Sequence, residues 1–249
     1  MSFAEYERRL QLGGWEPNFF VSREYVTASR WEVGNAGGVL AVFDGDQMML
    51  PPVDEGGLLI RGNPWADYEG YQGDGEQELM DVQFIYDPIS FEDLSGGKRE
   101  VFRKNTRKFA KAHPGLVYRE AESVDELLSS FGLWLDEERE VYDVEGIMRY
   151  LDAADLSRVR ILTDGSDLIG ANVWDENFCY INFRYSFVDP SVRFASEYIR
   201  LLFYLDMRGR GKLVNDGGSL GSDRLHRFKS RLGPERIGEI HTWKGKEDD

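Results

Sequence analysis

The stretch Val214–Lys229, VNDGGSLGSDRLHRFK, concentrates the residues best suited to do chemistry. Gly217, Gly218 and Gly221 let the backbone approach a bound group closely. They follow a strand-like Leu213–Asn215 and precede a helix-forming Asp223–Leu232. Consecutive backbone N–H groups and a helix N-terminus suit a phosphate or a developing oxyanion. The plainer alternative is a tight strand-to-helix connection over Asp216–Ser222 with Asp223 as N-cap. Lys229 is the second unusual residue. At about 100° per residue it falls near Leu225, on the arc set by Leu225, Phe228 and Leu232, while Arg224, Arg227 and Arg231 point away. An inward lysine either snorkels past apolar neighbours or lines a cleft. In a cleft its nearest carboxylate in sequence is Asp216, and the spacing predicts that Lys229→Met changes thermal stability little.

The elements that must hold these residues come from periodicity. Residues 3–12 read as a helix. Gly34–Pro52 reads as a hairpin turning at Asp44-Gly45-Asp46. Gly70–Glu78 reads as a mobile acidic loop, and Met80–Tyr86 as a strand. Lys98–Lys111 is a helix with Phe102, Asn105 and Phe109 on one face, stopped by His113-Pro114-Gly115. Leu116–Arg119 is a strand, and Ser123–Tyr142 a helix opened by a Ser123/Glu126 capping box. Strands follow at Arg158–Leu162, Leu168–Trp174 and Phe178–Phe187, then helix Ser191–Arg208, strand Leu213–Asn215, helix Asp223–Leu232 and strand Ile237–Trp243. In the aromatic strand, core packing accounts for Phe178, Tyr180, Phe183, Tyr185 and Phe187. Arg184 among them needs a further reason, and is assigned to a substrate cleft.

Composition removes several functions. The chain has 249 residues, 30 basic and 45 acidic, for a net charge of −15. Its mean field repels nucleic acid and anionic membranes, so any polyanion must meet a local basic patch. Lys98–Lys111 is such a patch: seven basic residues against Glu100 give +6, leaving −21 on the rest. The alternative is a merely solvated face. Cys179 alone excludes a disulfide framework, and the three histidines are scattered. No metal ligand set, Gly-x-Ser-x-Gly elbow or phosphate-binding loop ending in Gly-Lys-Ser/Thr appears. The polar start and the lack of an eighteen-residue apolar run predict no signal peptide, no integral membrane association and a cytoplasmic setting.

Two motifs carry a resemblance. Leu94–Phe109 (LSGGKREVFRKNTRKF) and Val214–Gly221 with Leu225, Phe228-Lys229 and Leu232-Gly233-Pro234 resemble the entry and closing motifs of phosphatidylglycerol lysyltransferase C-terminal-like domains and Fem-type aminoacyltransferases. The resemblance implies an α+β fold of tandem GNAT-like (acyltransferase) units with mixed central sheets flanked by helices. Here it divides the chain into 1–115, ending in the basic helix, and 116–249, carrying the active site. It implies aminoacyl transfer from a charged tRNA, or another phosphate-bearing donor, to an amino or hydroxyl group, with no bound cofactor. Lys229 would be the electrostatic helper and Asp216 a proton acceptor. Asn215 would polarise the carbonyl together with backbone N–H groups around Gly217, Gly218 and Ser219. Arg103, Lys104 and Asn105 would line the interdomain cleft, with Arg184 toward the acceptor. Acetyl-CoA or another acyl-CoA is the alternative donor. The turn where such enzymes grip pyrophosphate, Ser186–Tyr198 here, contains no glycine. A non-catalytic module binding a phosphorylated ligand is the remaining alternative.

Overall fold

The computed structural model describes residues 2–45, 47–57, 77–138, 143–219 and 221–243. Apart from Gln77 and Glu78, the acidic loop expected at 70–78 lies outside them, as do Asp46 and residues 139–142. Helices α1 (Phe3–Leu12) and α2 (Arg23–Ala28) cover a small antiparallel sheet of β1 (Glu32–Ala36), β2 (Val39–Asp44) and β3 (Gln47–Val53). Tyr6, Leu10, Val26, Leu40, Val42 and Leu50 form its core. The expected hairpin is β2–β3; β1 and α2 are short elements without a full period of pattern to announce them.

The second sheet has seven strands in the order β10-β4-β9-β8-β7-β6-β5. They are β4 (Gln77–Tyr86), β5 (Leu116–Glu120), β6 (Val159–Asp164), β7 (Asp167–Glu176), β8 (Tyr180–Val188), β9 (Leu213–Asn215) and β10 (Arg236–Trp243). The strand β4 therefore sits between β9 and β10, in one continuous hydrogen-bonded sheet. Residue 115, the expected boundary, does not separate two independently paired sheets. The backbone N–H and C=O groups of β4 need partners on both edges, and the later strands β9 and β10 supply them.

One face of this sheet carries α3 (Glu100–Ala112), α6 (Ala195–Met207) and α7 (Asp223–Arg231). Its core is aromatic: Phe84, Tyr86, Phe91, Phe102, Trp174, Phe183, Phe203 and Tyr204. Each large side chain buried there contributes about 1.5–3 kcal/mol. The opposite face carries α4 (Val124–Glu138) and α5 (Val144–Asp152), packed through Leu127, Phe131, Ile147 and Leu151 onto Val159, Ile161, Val173 and Phe187. On α3 the buried seam is Phe102, Thr106 and Phe109, not Phe102, Asn105 and Phe109. Asn105 sits beside the seam, because its amide reaches α6. Among the described residues no helix is long and apolar enough to cross a membrane.

Candidate active site

The seven-stranded sheet is antiparallel except where β8 pairs with β9. That parallel register ends at Asn182 opposite Asn215, while β8 runs on to Val188. The chain after Asn215 turns instead toward β4: Asp216 N–H donates to Phe84 O at 2.9 Å, and Phe84 N–H to Gly217 O at 3.1 Å. The two strands thus splay at their carboxyl ends. Such a crevice, outside the carboxyl ends of parallel strands where the sheet changes direction, is where ligands seat in open sheets.

Two glycines shape the loop for steric reasons. Gly217 has φ +60°, and a side chain there would come within 3.1 Å of the Phe19 ring. A Cβ on Gly218 would fall 1.9 Å from Asp81 Oδ2. Ser219 N–H donates to the same Asp81 carboxylate at 2.9 Å. The helix after the loop is capped by Ser222, whose hydroxyl accepts from Leu225 N–H, rather than by Asp223.

The structure brings Asn215, Asp216 and Lys229 together. Lys229 is 5% exposed, while Arg224, Arg227 and Arg231 are exposed, as helical spacing requires. Its ammonium donates to Asp216 O and, at 2.6 Å, to Gly218 O, and lies 3.3 Å from Asp216 Oδ1. With two loop carbonyls hydrogen-bonded and the Asp216 carboxylate ion-paired, Lys229 clamps the glycine loop onto α7. Asn215 accepts from Gly217 N–H at 3.0 Å and donates to Gln83 at 2.8 Å. Asp216 receives two more donors absent from the sequence-based set. Arg200 on α6 forms an ion pair with its Oδ2, and the Tyr204 hydroxyl donates to that oxygen at 2.6 Å.

These contacts settle the electrostatics. Burial alone would raise the Asp216 carboxyl, but the Arg200 and Lys229 charges and the Arg200 and Tyr204 hydrogen bonds hold it below the usual carboxylate range. A carboxylate so stabilised is a poor base, so the geometry favours an anchoring role for Asp216 over proton acceptance. Burial drives the Lys229 ammonium below its ordinary value, and Asp216 offsets this only in part. The Arg200 side chain keeps 12% of its surface exposed. Its guanidinium lies 4.8 Å from the Phe183 ring and 5.7 Å from Phe228. A guanidinium pinned by a carboxylate between two rings is a preorganised oxyanion or phosphate donor. Its signal in the sequence is an arginine inside the apolar run Ile199–Phe203.

Arg184 lies elsewhere. Val173 pairs with Tyr185 and Trp174 with Phe183, so Arg184 is the extra residue of a β-bulge. The bulge directs its side chain toward Asp175 on β7, with Nε at 2.5 Å from Oδ2 and Nη2 at 3.1 Å from Oδ1. Ser22 and Tyr150 hydroxyls and the Asn182 amide complete the Asp175 shell at 2.8–2.9 Å. The guanidinium stacks on Phe19 and Tyr25 at 4.2 and 4.6 Å. Arg184 is thus buried in an ion pair, not open to a cleft.

On α3, Arg103 donates to Leu94 O at 2.6 Å, and Asn105 donates to Glu197 on α6 at 3.2 Å. Glu197 lies one turn from Arg200, so Asn105 borders the crevice side of α6. Lys104, Arg107, Lys108 and Lys111 are exposed, and among the described residues no salt bridge involves them or Arg103. Arg103 and Arg107 also border a groove of about 920 Å³ between α3 and α6, floored by Phe91, Leu201 and Leu205. Among the described residues no cluster of His, Cys, Asp and Glu could hold a metal ion.

No family model matches the chain, and no curated protein matches it. Solved structures do. A conserved protein of unknown function from Bacteroides thetaiotaomicron superposes with a TM-score of 0.72 at 16% identity, covering 98% of both chains. The C-terminal domain of a putative lysylphosphatidylglycerol synthetase from Agrobacterium fabrum gives 0.65 at 15%, covering 98% of this chain and 93% of the other. FemX gives 0.62 at 10%, covering 98% and 96%. The α+β fold implied by the two sequence motifs is therefore the fold the chain has, a large mixed sheet flanked by helices as in the lysylphosphatidylglycerol synthetase domain and FemX.

Proposed function

We propose that the protein is an acyltransferase that moves an aminoacyl group from a charged tRNA to an amino or hydroxyl acceptor. The observation that carries this reading is the splayed β8/β9 end. There a buried Asp216–Lys229 clamp holds a glycine loop, and Arg200 is fixed beside it with part of its surface open. The shared fold supports the same reading, since one neighbour is described as the C-terminal domain of a putative lysylphosphatidylglycerol synthetase. In the reaction the acceptor's nitrogen or oxygen bonds to the acyl carbon, the ester bond to the ribose oxygen breaks, and the acceptor's proton ends on that oxygen. No covalent enzyme intermediate is required. Positioning in the crevice lowers the entropic part of the barrier. Arg200 and the β9-facing edge of β8 beyond Asn182, where the register with β9 ends, stabilise the tetrahedral oxyanion. Lys229, Asp216 and Asn215 hold the loop of Gly217, Gly218 and Ser219 in register. The alternative donor is an acyl-CoA. It would have to be gripped by a β8-to-α6 turn that uses Phe194 at φ +70° instead of glycine.

The experiment is deacylation of radiolabelled aminoacyl-tRNA with hydroxylamine as acceptor, in parallel with acetyl-CoA. Arg200→Lys keeps a cation against Asp216 but loses the planar fork. It is expected to lower turnover on the order of a hundredfold, the scale for one preorganised transition-state contact. Turnover of acetyl-CoA alone would replace the tRNA reading with the CoA one; turnover of neither would leave a binding module.

The donor's RNA is expected to dock on α3. Lys104→Glu with Arg107→Glu should weaken RNA binding and flatten the plot of log K against log salt by about 1–2 units. Arg8→Glu, an exposed arginine already paired with Glu5, should leave the slope unchanged. A slope indifferent to the α3 changes would make that helix a solvated face.

A further inference from the structure

On α6, Tyr198, Leu201 and Leu205 recur at i, i+3 and i+7, and Arg208 follows at i+10, so the four lie in one stripe about 15 Å long. Its first turn is covered by α3: the Tyr198 ring packs on Phe109 at 4.9 Å, and Asn105 bonds the neighbouring Glu197. Beyond Tyr198 the stripe floors the open groove of about 920 Å³, where Leu201 and Leu205 are half-buried. The length of that floor matches close to three turns of a docked helix.

The charges lining the groove are not balanced. Segment 92–95 contributes Glu92 and Asp93, and both are answered within the protein. Glu92 pairs with Arg208 at 3.2 Å, and Asp93 accepts from the Ser95 N–H at 2.8 Å and hydroxyl at 2.7 Å. From α3 come Arg103 and Arg107, one turn apart. Arg103 donates to the Leu94 carbonyl, and among the described residues neither arginine has a carboxylate partner. The groove therefore combines an aliphatic floor with two unpaired cations from α3.

We propose that this groove docks an amphipathic helix of a partner protein. Aliphatic side chains at i, i+4 and i+7 of that helix seat over Leu201 and Leu205, and carboxylates on its flank pair with Arg103 and Arg107. A single-stranded nucleic acid fits less well, because it binds by stacking on aromatic faces, and the Tyr198 ring is already against Phe109. Glu92 and Asp93 also oppose a run of phosphates. A lipid has one polar end, whereas Arg103, Arg107 and Arg208 spread charge along the groove. In a chain of net charge −15, an acidic partner is repelled elsewhere, so this basic seat also sets where it lands. Lys104, Lys108 and Lys111 do not line the groove, and none of the crevice residues takes part. The proposal therefore stands apart from the transfer reaction.

The probe is a fluorescein-labelled peptide helix of Leu, Glu and Ala, with leucines at i, i+4 and i+7 and glutamates on the flanks. One control replaces each Glu by Lys; a second keeps the composition but scrambles the order. Fluorescence anisotropy is expected to give a dissociation constant at least about tenfold lower for the probe than for either control. Leu205→Glu should weaken the probe by about tenfold or more, and Arg107→Ala should weaken it and reduce its salt dependence. Equal binding of probe and scrambled control, or indifference to Leu205→Glu, overturns the proposal. Oligouridylate and phosphatidylglycerol vesicles are the rival ligands. If either loses about tenfold in affinity on Leu205→Glu while the peptide does not, the groove belongs to that rival and the proposal fails. Should Leu205→Glu not fold, photoleucine at the central leucine of the probe decides on the wild-type protein. Crosslinks are expected within residues 91–95, α3 and α6; crosslinks elsewhere overturn the proposal.

Discussion

Lys229→Met is expected to lower the melting temperature by roughly 6–12 °C, contrary to the small change that helical spacing by itself suggests. The reason is the set of partners. Methionine matches lysine in length but leaves Asp216 O and Gly218 O with no donor, and removes one of the charges that compensate a buried carboxylate. Breaking a buried pair from one side costs about 3–5 kcal/mol, and each kcal/mol moves the midpoint of a chain this size by about 2–4 °C. Arg200 remains beside Asp216, which keeps the loss at the lower part of that range. Transfer activity is expected to fall at least as far as for Arg200→Lys, since the loop that orients the crevice is released. Thermal unfolding by circular dichroism checks the first statement. A midpoint within 3 °C of wild type would mean the loop holds its shape without the lysine, and the clamp would be refuted.

Arg184→Met is expected to be the more damaging substitution, with a similar or larger loss of stability. Asp175 is fully buried, and among the described residues Arg184 is the cation paired with it. Burial disfavours the Arg184 charge, yet Asp175 more than restores it, raising the guanidinium above its ordinary range. Without the arginine, the carboxylate keeps Ser22, Tyr150 and Asn182 as donors but has no opposite charge. The double substitution Arg184→Met/Asp175→Asn removes both charges and should recover a large part of the loss, by about 2 kcal/mol or more relative to Arg184→Met. Denaturant unfolding of the four proteins of that cycle gives the coupling directly. Additive effects would show that Arg184 contributes by packing on Phe19 and Tyr25 and not by charge.

Much of the framework is legible in the sequence because it follows local periodicity. The helix 100–112, the hairpin 39–53, the aromatic strand 180–188 and the helix 223–231 all carry patterns that repeat within their own length. The same holds for Lys229: one turn of helix places it beside Leu225, so its inward direction needs no knowledge of the fold. Its neighbourhood with Asp216 is also near-local, thirteen residues apart across a loop that glycine bends. The basic character of α3 is read directly from a +6 window in an acidic chain.

What tertiary structure alone decides is which distant residue completes each charge. Arg200 and Tyr204 reach Asp216 only because α6 packs across the splayed strands. Asp175 and Ser22, separated by 153 positions, meet because a bulge turns Arg184 to the face where the N-terminal arm lies. The place of β4 between β9 and β10 is likewise a matter of which edges remain open once the later strands have paired. Local pattern fixes the face a side chain points to, since that depends on backbone period. Its partner depends on which surfaces the whole chain brings against that face, and burial then sets the cost of leaving a charge there alone.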